Sequence, residues 1–336
     1  MKLYDNILVI EEFGTSVFKK YKRIVVFNKK KKIKEEISIK DLRTVIILTK
    51  LSISSELIKM LTESGISIIF CGYLGRPYAK ISGVRIGGTP ENRKRQYNLA
   101  NSGDSGLFVK KLIDAKIFNQ LENIKYYAKS KRIYNTDYVL EKINTMESYL
   151  EKLNSIENEK IDLVRQKIMN IEALSAKEYF EFISNVYGKD LEFSGRDYRS
   201  NDILNVLLNI GYNLISIWYW IFSEHFSLDP FEGYLHVERP GRLSLIYDLM
   251  EPIRPIIDRI TLSFIFKNNL TNKEFQKNKY KIISEFKKYF ISQLIYFKLE
   301  LYNKKFPLRY IIFKQIESFV SFIYGKSEPY CPKIYW

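Results

Sequence analysis

Residues 233–255 read GYLHVERPGRLSLIYDLMEPIRP and hold one of the two histidines among 336 residues, His236. The same stretch carries two carboxylates three residues apart, Asp248 and Glu251, with Arg242 and Arg254 close by. An imidazole beside carboxylates suits a borderline or hard divalent cation such as Mg²⁺ or Mn²⁺. In a strongly basic chain such a cation points to phosphodiester chemistry, where it stabilises the attacking and leaving oxygens. Residues three apart share a helical face, so Asp248 and Glu251 can address one ion. Pro252 disfavours regular helix at Glu251 and predicts a kink or restart that aims the carboxylate inward. The competing reading pairs these acids with Arg242, Arg254 or Arg259 as ordinary ion pairs, and spacing alone leans toward it. A lone histidine after an apolar run, as at His236, is more often a hydrogen-bonded core residue than a ligand. Glu172, in KIMNIEALSAKEYF, is an acid set in an apolar turn, where burial demands a partner. A second helix carrying Glu172 to His236 and Glu251 would complete an H/E/E site with positions open for water and phosphate. His225, in SEHF, reads as structural.

The elements that must position these residues divide into two regions. Ile7–Ile10, Arg23–Phe27, Thr44–Leu48 and Ile66–Phe70 are short β-branched or aromatic runs bounded by Gly, Asn or charge, and read as strands. The KKKKIK run, Lys29–Lys34, reads as a hairpin tip. Ser54 is placed to cap a helix that ends near Gly65, and a last short strand is expected within Gly75–Gly83. The cluster Gly83–Pro90 marks a boundary. Apolar residues then recur at helical spacing over Asp104–Arg132 and Thr136–Ile156. Ser175-Ala-Lys-Glu178 matches a capping box opening a helix through Tyr187, and 256–324 reads as further helices. The expected fold class is α+β: a small N-terminal β-rich domain at 1–83, a linker at 84–93, and a larger all-α domain at 94–336.

Composition bounds the partners. Fifty-four basic against 38 acidic residues leave a net charge of +16, which favours a polyanion, nucleic acid first and an acidic membrane surface second. The hydrophobic share of 46% supports a sizeable core. Two cysteines, Cys71 and Cys331, make neither a disulfide framework nor a zinc site and fit a reducing cytoplasm. MKLYDNILVI lacks the features of a signal peptide. Residues 203–223 are uncharged and long enough to span a bilayer. Asn205, Asn209 and Asn213, however, fall on one helical face, so a buried helix of a soluble domain is the better reading and no membrane partner is expected.

Six ordered segments resemble the CRISPR adaptation integrase family. They are Ile53–Lys80, RQY at 95–97, AKIFNQ at 115–120, IMNIEALSAKEYF at 168–180, the run SGRDYRSNDILNVLLNIGYNLI, and the 233–255 stretch. The resemblance implies Glu172, His236 and Glu251 as metal ligands for Mg²⁺ or Mn²⁺ and Asp248 as a further catalytic acid. Asn170 and Ala173 stand where the family more often has glycine. Arg196, Arg242 and Arg254 become candidates for phosphate contact or for orienting the acids. The implied reaction is transesterification, in which the 3′-hydroxyl of a captured DNA fragment attacks a phosphodiester at a repeat boundary. The implied partners are double-stranded and branched DNA, a second copy of the chain paired through the β-domain, and a small ferredoxin-like adaptation subunit. Two other readings remain open: a structure-selective nuclease acting on branched DNA in repair, and a non-catalytic basic scaffold for nucleic acid.

Overall fold

The computed structural model describes residues 2–4, 6–28, 32–40, 42–83, 90–237, 239–301 and 304–335. Lys29–Lys31, at the expected hairpin tip, and 84–89, within the expected linker, lie outside them. The chain forms two compact units, Met1–Ile86 and Gly87–Trp336.

Among the described residues, the first unit contains two sheets and one helix. β1 (Lys2–Tyr4), β2 (Ile7–Ile10), β6 (Thr44–Ile47), β8 (Ser67–Cys71) and β9 (Pro77–Ile81) form one sheet in the order β1-β2-β6-β8-β9. Its three central strands run parallel, and β1 and β9 flank them antiparallel. This explains why β2 and β6 are continuous apolar runs rather than alternating ones: all four residues of each are buried. β5 (Ile33–Ser38), β4 (Arg23–Asn28), β3 (Thr15–Lys20) and β7 (Leu51–Ile53) form the second sheet in that order. Helix α1 (Ser55–Glu63) is capped by Ser54, whose hydroxyl accepts from the Leu57 N–H at 3.3 Å. It ends before Gly65, which adopts φ +72°. Leu57 and Leu61 of α1 join Ile10, Val17, Ile24, Val45 and Ile68 in a single apolar core.

Among the described residues, the second unit is helical apart from one hairpin. It comprises α2 (Pro90–Ala100), α3 (Asp104–Ser130), α4 (Asp137–Asn154), α5 (Ile161–Leu191), α6 (Ile203–His225), α7 (Ser244–Met250), a 3₁₀ turn at Glu251–Ile253, α8 (Arg254–Lys267), α9 (Asn272–Tyr296), and α10 (Leu308–Ile323). The central element is α3, which packs against α4, α5, α7, α8 and the 3₁₀ turn. Helix α6 is long and apolar enough to cross a membrane, but 72% of its most apolar window is buried within the fold.

Several expectations require correction. Ser175 opens no helix, because α5 runs unbroken from Ile161 to Leu191. The Ser175 hydroxyl donates to the Glu172 carbonyl at 2.8 Å inside the helix, and Glu178 reaches Lys142 on α4 at 2.5 Å instead of closing a box. The second region is not all helix: β10 (Lys298–Leu301) and β11 (Lys304–Pro307) form an antiparallel hairpin packed on α10. Residues 90–93, assigned to the linker, are the first turn of α2, where proline is tolerated because the N–H it lacks would have no helical partner. Strands β3, β5 and β7 carry too little apolar alternation to have been read from sequence.

Candidate active site

Pro252 acts as the sequence predicts. The helix entering as α7 tightens into the 3₁₀ turn at Glu251 and restarts as α8 at Arg254. This break delivers Glu251 into the interior, with only 3% of its surface exposed. Helix α5 brings Glu172 from the other side, and α3 supplies Lys116 between the two. The Lys116 ammonium donates to Glu172 Oε1 and to Glu251 Oε2, the latter at 2.5 Å. Glu251 Oε1 accepts from Arg254 Nε at 2.8 Å. One part of the ion-pair reading therefore holds, with Arg254 as the partner.

The electrostatics follow from this arrangement. Burial alone would push the Glu251 carboxyl up, but Arg254, then Lys116 and His236, overcome it and hold the group at about 2. Burial likewise works against the Lys116 charge, and the Glu172 and Glu251 carboxylates more than offset it, leaving the ammonium raised from its ordinary value.

Asp248 sits behind His236. It is fully buried, and both oxygens are engaged: Oδ2 accepts from the Tyr234 and Leu235 N–H groups at 2.6 and 2.9 Å, and Oδ1 from the His236 N–H at 3.0 Å. His236 Nδ1 lies 2.6 Å from the same Oδ1. This contact holds the ring through Nδ1, so that Nε2 is the nitrogen not taken up by Asp248. Gly233 lets this loop close on α7: a Cβ there would fall 2.6 Å from Ser244 Cβ and 2.9 Å from the His236 carbonyl oxygen.

A further layer backs the site. The Arg254 and Arg196 guanidinium carbons lie 4.8 and 5.5 Å from the centroid of the Tyr212 ring. The Tyr212 hydroxyl donates to buried Asp258, whose carboxyl burial pushes up to about 6 against the opposing pull of Tyr212, Arg196, Tyr179 and Lys116. Arg196 is itself fixed by the amide stripe of α6, donating to Asn205 Oδ1 at 2.9 Å and to Asn209 Oδ1 at 2.6 Å. Arg242 stands apart, its guanidinium carbon 5.9 Å from the Tyr247 ring centroid. His225 packs among the Phe226 and Phe313 rings, as a structural residue should.

The fold thus brings Glu172 and Glu251 to one point and places His236 near enough to act on Glu251. Asp248 is spent on His236 and its backbone. Among the described residues no three His, Cys, Asp or Glu side chains already form a cation cage. Instead, the two carboxylates share the Lys116 ammonium. Two carboxylates that already hold a cation in common are oxygen donors of the kind that suits Mg²⁺ or Mn²⁺ in exchange for that ammonium. Sequence reasoning missed Lys116, Tyr212 and Asp258. The only available signal was a lysine within the apolar AKIFNQ run.

A family model described as CRISPR associated protein Cas1 matches residues 8–294. A CRISPR-associated endonuclease Cas1 from Korarchaeum cryptofilum is 35% identical, covering 98% of this chain and 98% of its own. Among solved structures, a casposase bound to integration product superposes with a TM-score of 0.77 at 20% identity, covering 96% of this chain and 92% of that one. A Cas6-RT-Cas1–Cas2 complex superposes with a TM-score of 0.75 at 14% identity, covering 97% of this chain and 36% of the longer one.

Proposed function

The chain belongs to the Cas1 family of CRISPR-associated proteins, and from that premise we propose that it is a metal-dependent DNA endonuclease and integrase that inserts captured DNA fragments as new spacers into a CRISPR array. The observation that carries this reading is the pair of carboxylates, Glu172 and Glu251, meeting at one cation beside His236. Glu172, Glu251 and Nε2 of His236 would hold Mg²⁺ or Mn²⁺. When bound, the ion neutralises phosphodiester charge and eases deprotonation of the attacking hydroxyl. In the reaction a 3′-hydroxyl oxygen of the fragment bonds to the phosphorus at the repeat boundary. The bond from that phosphorus to its former 3′-oxygen breaks, and that oxygen takes up a proton.

The protein's own residues prepare the site. Arg254 and Lys116 keep Glu251 ionised inside the fold. Asp248 fixes the ring orientation of His236, the usual task of a carboxylate behind a metal-binding imidazole. Arg196 and Arg242 are the candidates for phosphate contact, Arg196 pre-oriented by Asn205 and Asn209. The net charge of +16 supports distributed contact with double-stranded and branched DNA, which weakens as salt rises.

Residues 1–83 are proposed to pair two copies of the chain, since two 3′-ends attacking two separated phosphodiesters need two sites held at a fixed distance. A small ferredoxin-like adaptation subunit completes the assembly, a reading supported by the Cas2-containing complex among the matching structures. The low cysteine content, Cys71 and Cys331, is compatible with a reducing cytoplasm. The test is strand transfer of a labelled duplex with free 3′-ends into a plasmid carrying the repeat array. Covalent joining that requires Mg²⁺ or Mn²⁺ and disappears in Glu251→Gln supports the reading. Joining that persists without a divalent cation, or in that variant, contradicts it.

A further inference from the structure

The C-terminal turns of α3, α5, α8 and α9 surround a cavity of about 430 Å³. Its lining residues include neither Lys116 nor any of the acids or histidines discussed above. The walls present Tyr126, Tyr127, Tyr187 and Tyr289, together with two cations, Arg259 and Lys267, and no carboxylate. The Arg259 guanidinium carbon lies 3.3 Å from the Tyr126 ring centroid, and the Lys267 ammonium 5.8 Å from that of Tyr289. Tyr127 is only 3% exposed, yet its hydroxyl finds no hydrogen-bond partner among the described residues. A buried polar group left unsatisfied is costly, so an occupant that bonds this hydroxyl is favoured.

The two cations favour an anion, and Arg259 is partly buried, where charge-assisted hydrogen bonds are about twice as strong as neutral ones. A ligand carrying both an anionic group and a flat ring suits this lining, because the cations hold the anion while the ring packs on the tyrosines. The volume falls within the usual range for small-molecule sites, roughly 300–1,000 Å³.

We propose that this cavity binds a single nucleotide, its base against the tyrosine rings and its phosphate on Arg259 and Lys267. The nucleotide arrives either free, as a deoxynucleoside monophosphate, or as an unpaired residue of a DNA strand. Titration calorimetry on the full chain with dAMP, deoxyadenosine, inorganic phosphate and a single-stranded decanucleotide separates these sources. Tyr127→Phe keeps the ring and should weaken binding about 5–10-fold, the loss of one hydrogen bond. Ser263→Trp, which fills the cavity without altering its charge, should abolish it, with unchanged circular dichroism confirming the fold. Binding of dAMP that responds to both variants establishes a free-nucleotide site. Binding of the decanucleotide alone, with the same response, establishes a strand-borne one. No binding of either, or binding indifferent to Ser263→Trp, overturns the proposal. Glu251→Gln should leave nucleotide binding intact, so failure of the cation chemistry and failure of this site are told apart.

Discussion

The two units of the chain treat burial in opposite ways. In Met1–Ile86 the fully buried polar side chains among the described residues are Thr15, Asn28 and Thr44, all uncharged. In Gly87–Trp336 the interior holds seven charged side chains among the described residues: Lys116, Lys142, Asp202, Asp248, Glu251, Asp258 and Lys287. Charge in a protein interior is expensive, and an apolar replacement of similar volume is commonly neutral or better for stability. A unit whose interior carries no charged side chain among the described residues has the character of a scaffold. The second unit keeps seven charged side chains inside, and three of them, Lys116, Glu251 and Asp248, lie at or directly behind one point.

The contrast yields graded predictions. The largest effect should come from Lys116→Met. Removing the shared ammonium leaves Glu172 and Glu251 facing each other, and breaking such a buried pair costs about 3–5 kcal/mol. Thermal unfolding without divalent cation should show the loss, and millimolar Mn²⁺ should restore part of it. An unchanged melting temperature would mean that the buried charges are not mutually dependent.

Next comes Asp258. Burial raises its carboxyl from an ordinary 3.8 to about 6, so the folded state holds the proton more tightly than the unfolded state. The resulting stabilisation is complete below about pH 4 and is lost as pH rises through 6, on the order of 2–3 kcal/mol in all. Asp258→Asn should flatten that part of the stability–pH curve, measured by urea unfolding between pH 4 and 7. A variant curve parallel to the wild type would remove Asp258 from the account.

Asp248→Asn should lower cation affinity or activity 10–100-fold, as expected when the carboxylate behind a metal-binding imidazole is neutralised. Its measure is the Mn²⁺ concentration giving half-maximal strand transfer. The smallest effect belongs to the strand-rich unit. Ser54→Ala removes the cap of α1 and should cost about 1 kcal/mol by denaturant unfolding, with no change in Mn²⁺ requirement. A shifted Mn²⁺ requirement there would blur the separation between scaffold and chemistry.

Much of this organisation was legible in the sequence because it rests on local rules. Ile7–Ile10 and Thr44–Ile47 are strands as their apolar runs indicate, Ser54 caps as its position suggests, and Pro252 breaks the helix where it must. The failures share a physical cause, which is that the deciding partner is distant. Lys116 meets Glu172 and Glu251 across 56 and 135 residues, a pairing no spacing rule can reach. Ser175 has the pattern of a cap, but its neighbour Glu178 is claimed by Lys142, 36 residues away. The β10–β11 hairpin and β5 are lysine- and glutamate-rich, so each takes its pairing from a neighbouring strand rather than from an apolar face of its own. Asp248 was read as a candidate acid on the face of Glu251, whereas its oxygens serve the backbone N–H groups of 234–236 and the ring of His236.

The central claim is that Glu172, His236 and Glu251 share one divalent cation at the point now bridged by Lys116. Anomalous diffraction from crystals soaked in Mn²⁺ tests it most directly. The account predicts a single strong peak in each chain, roughly 2.0–2.6 Å from a carboxylate oxygen of Glu172, one of Glu251 and Nε2 of His236, and absent in Glu251→Gln. A peak elsewhere, or no peak there with the Lys116 bridge intact at saturating Mn²⁺, would contradict it.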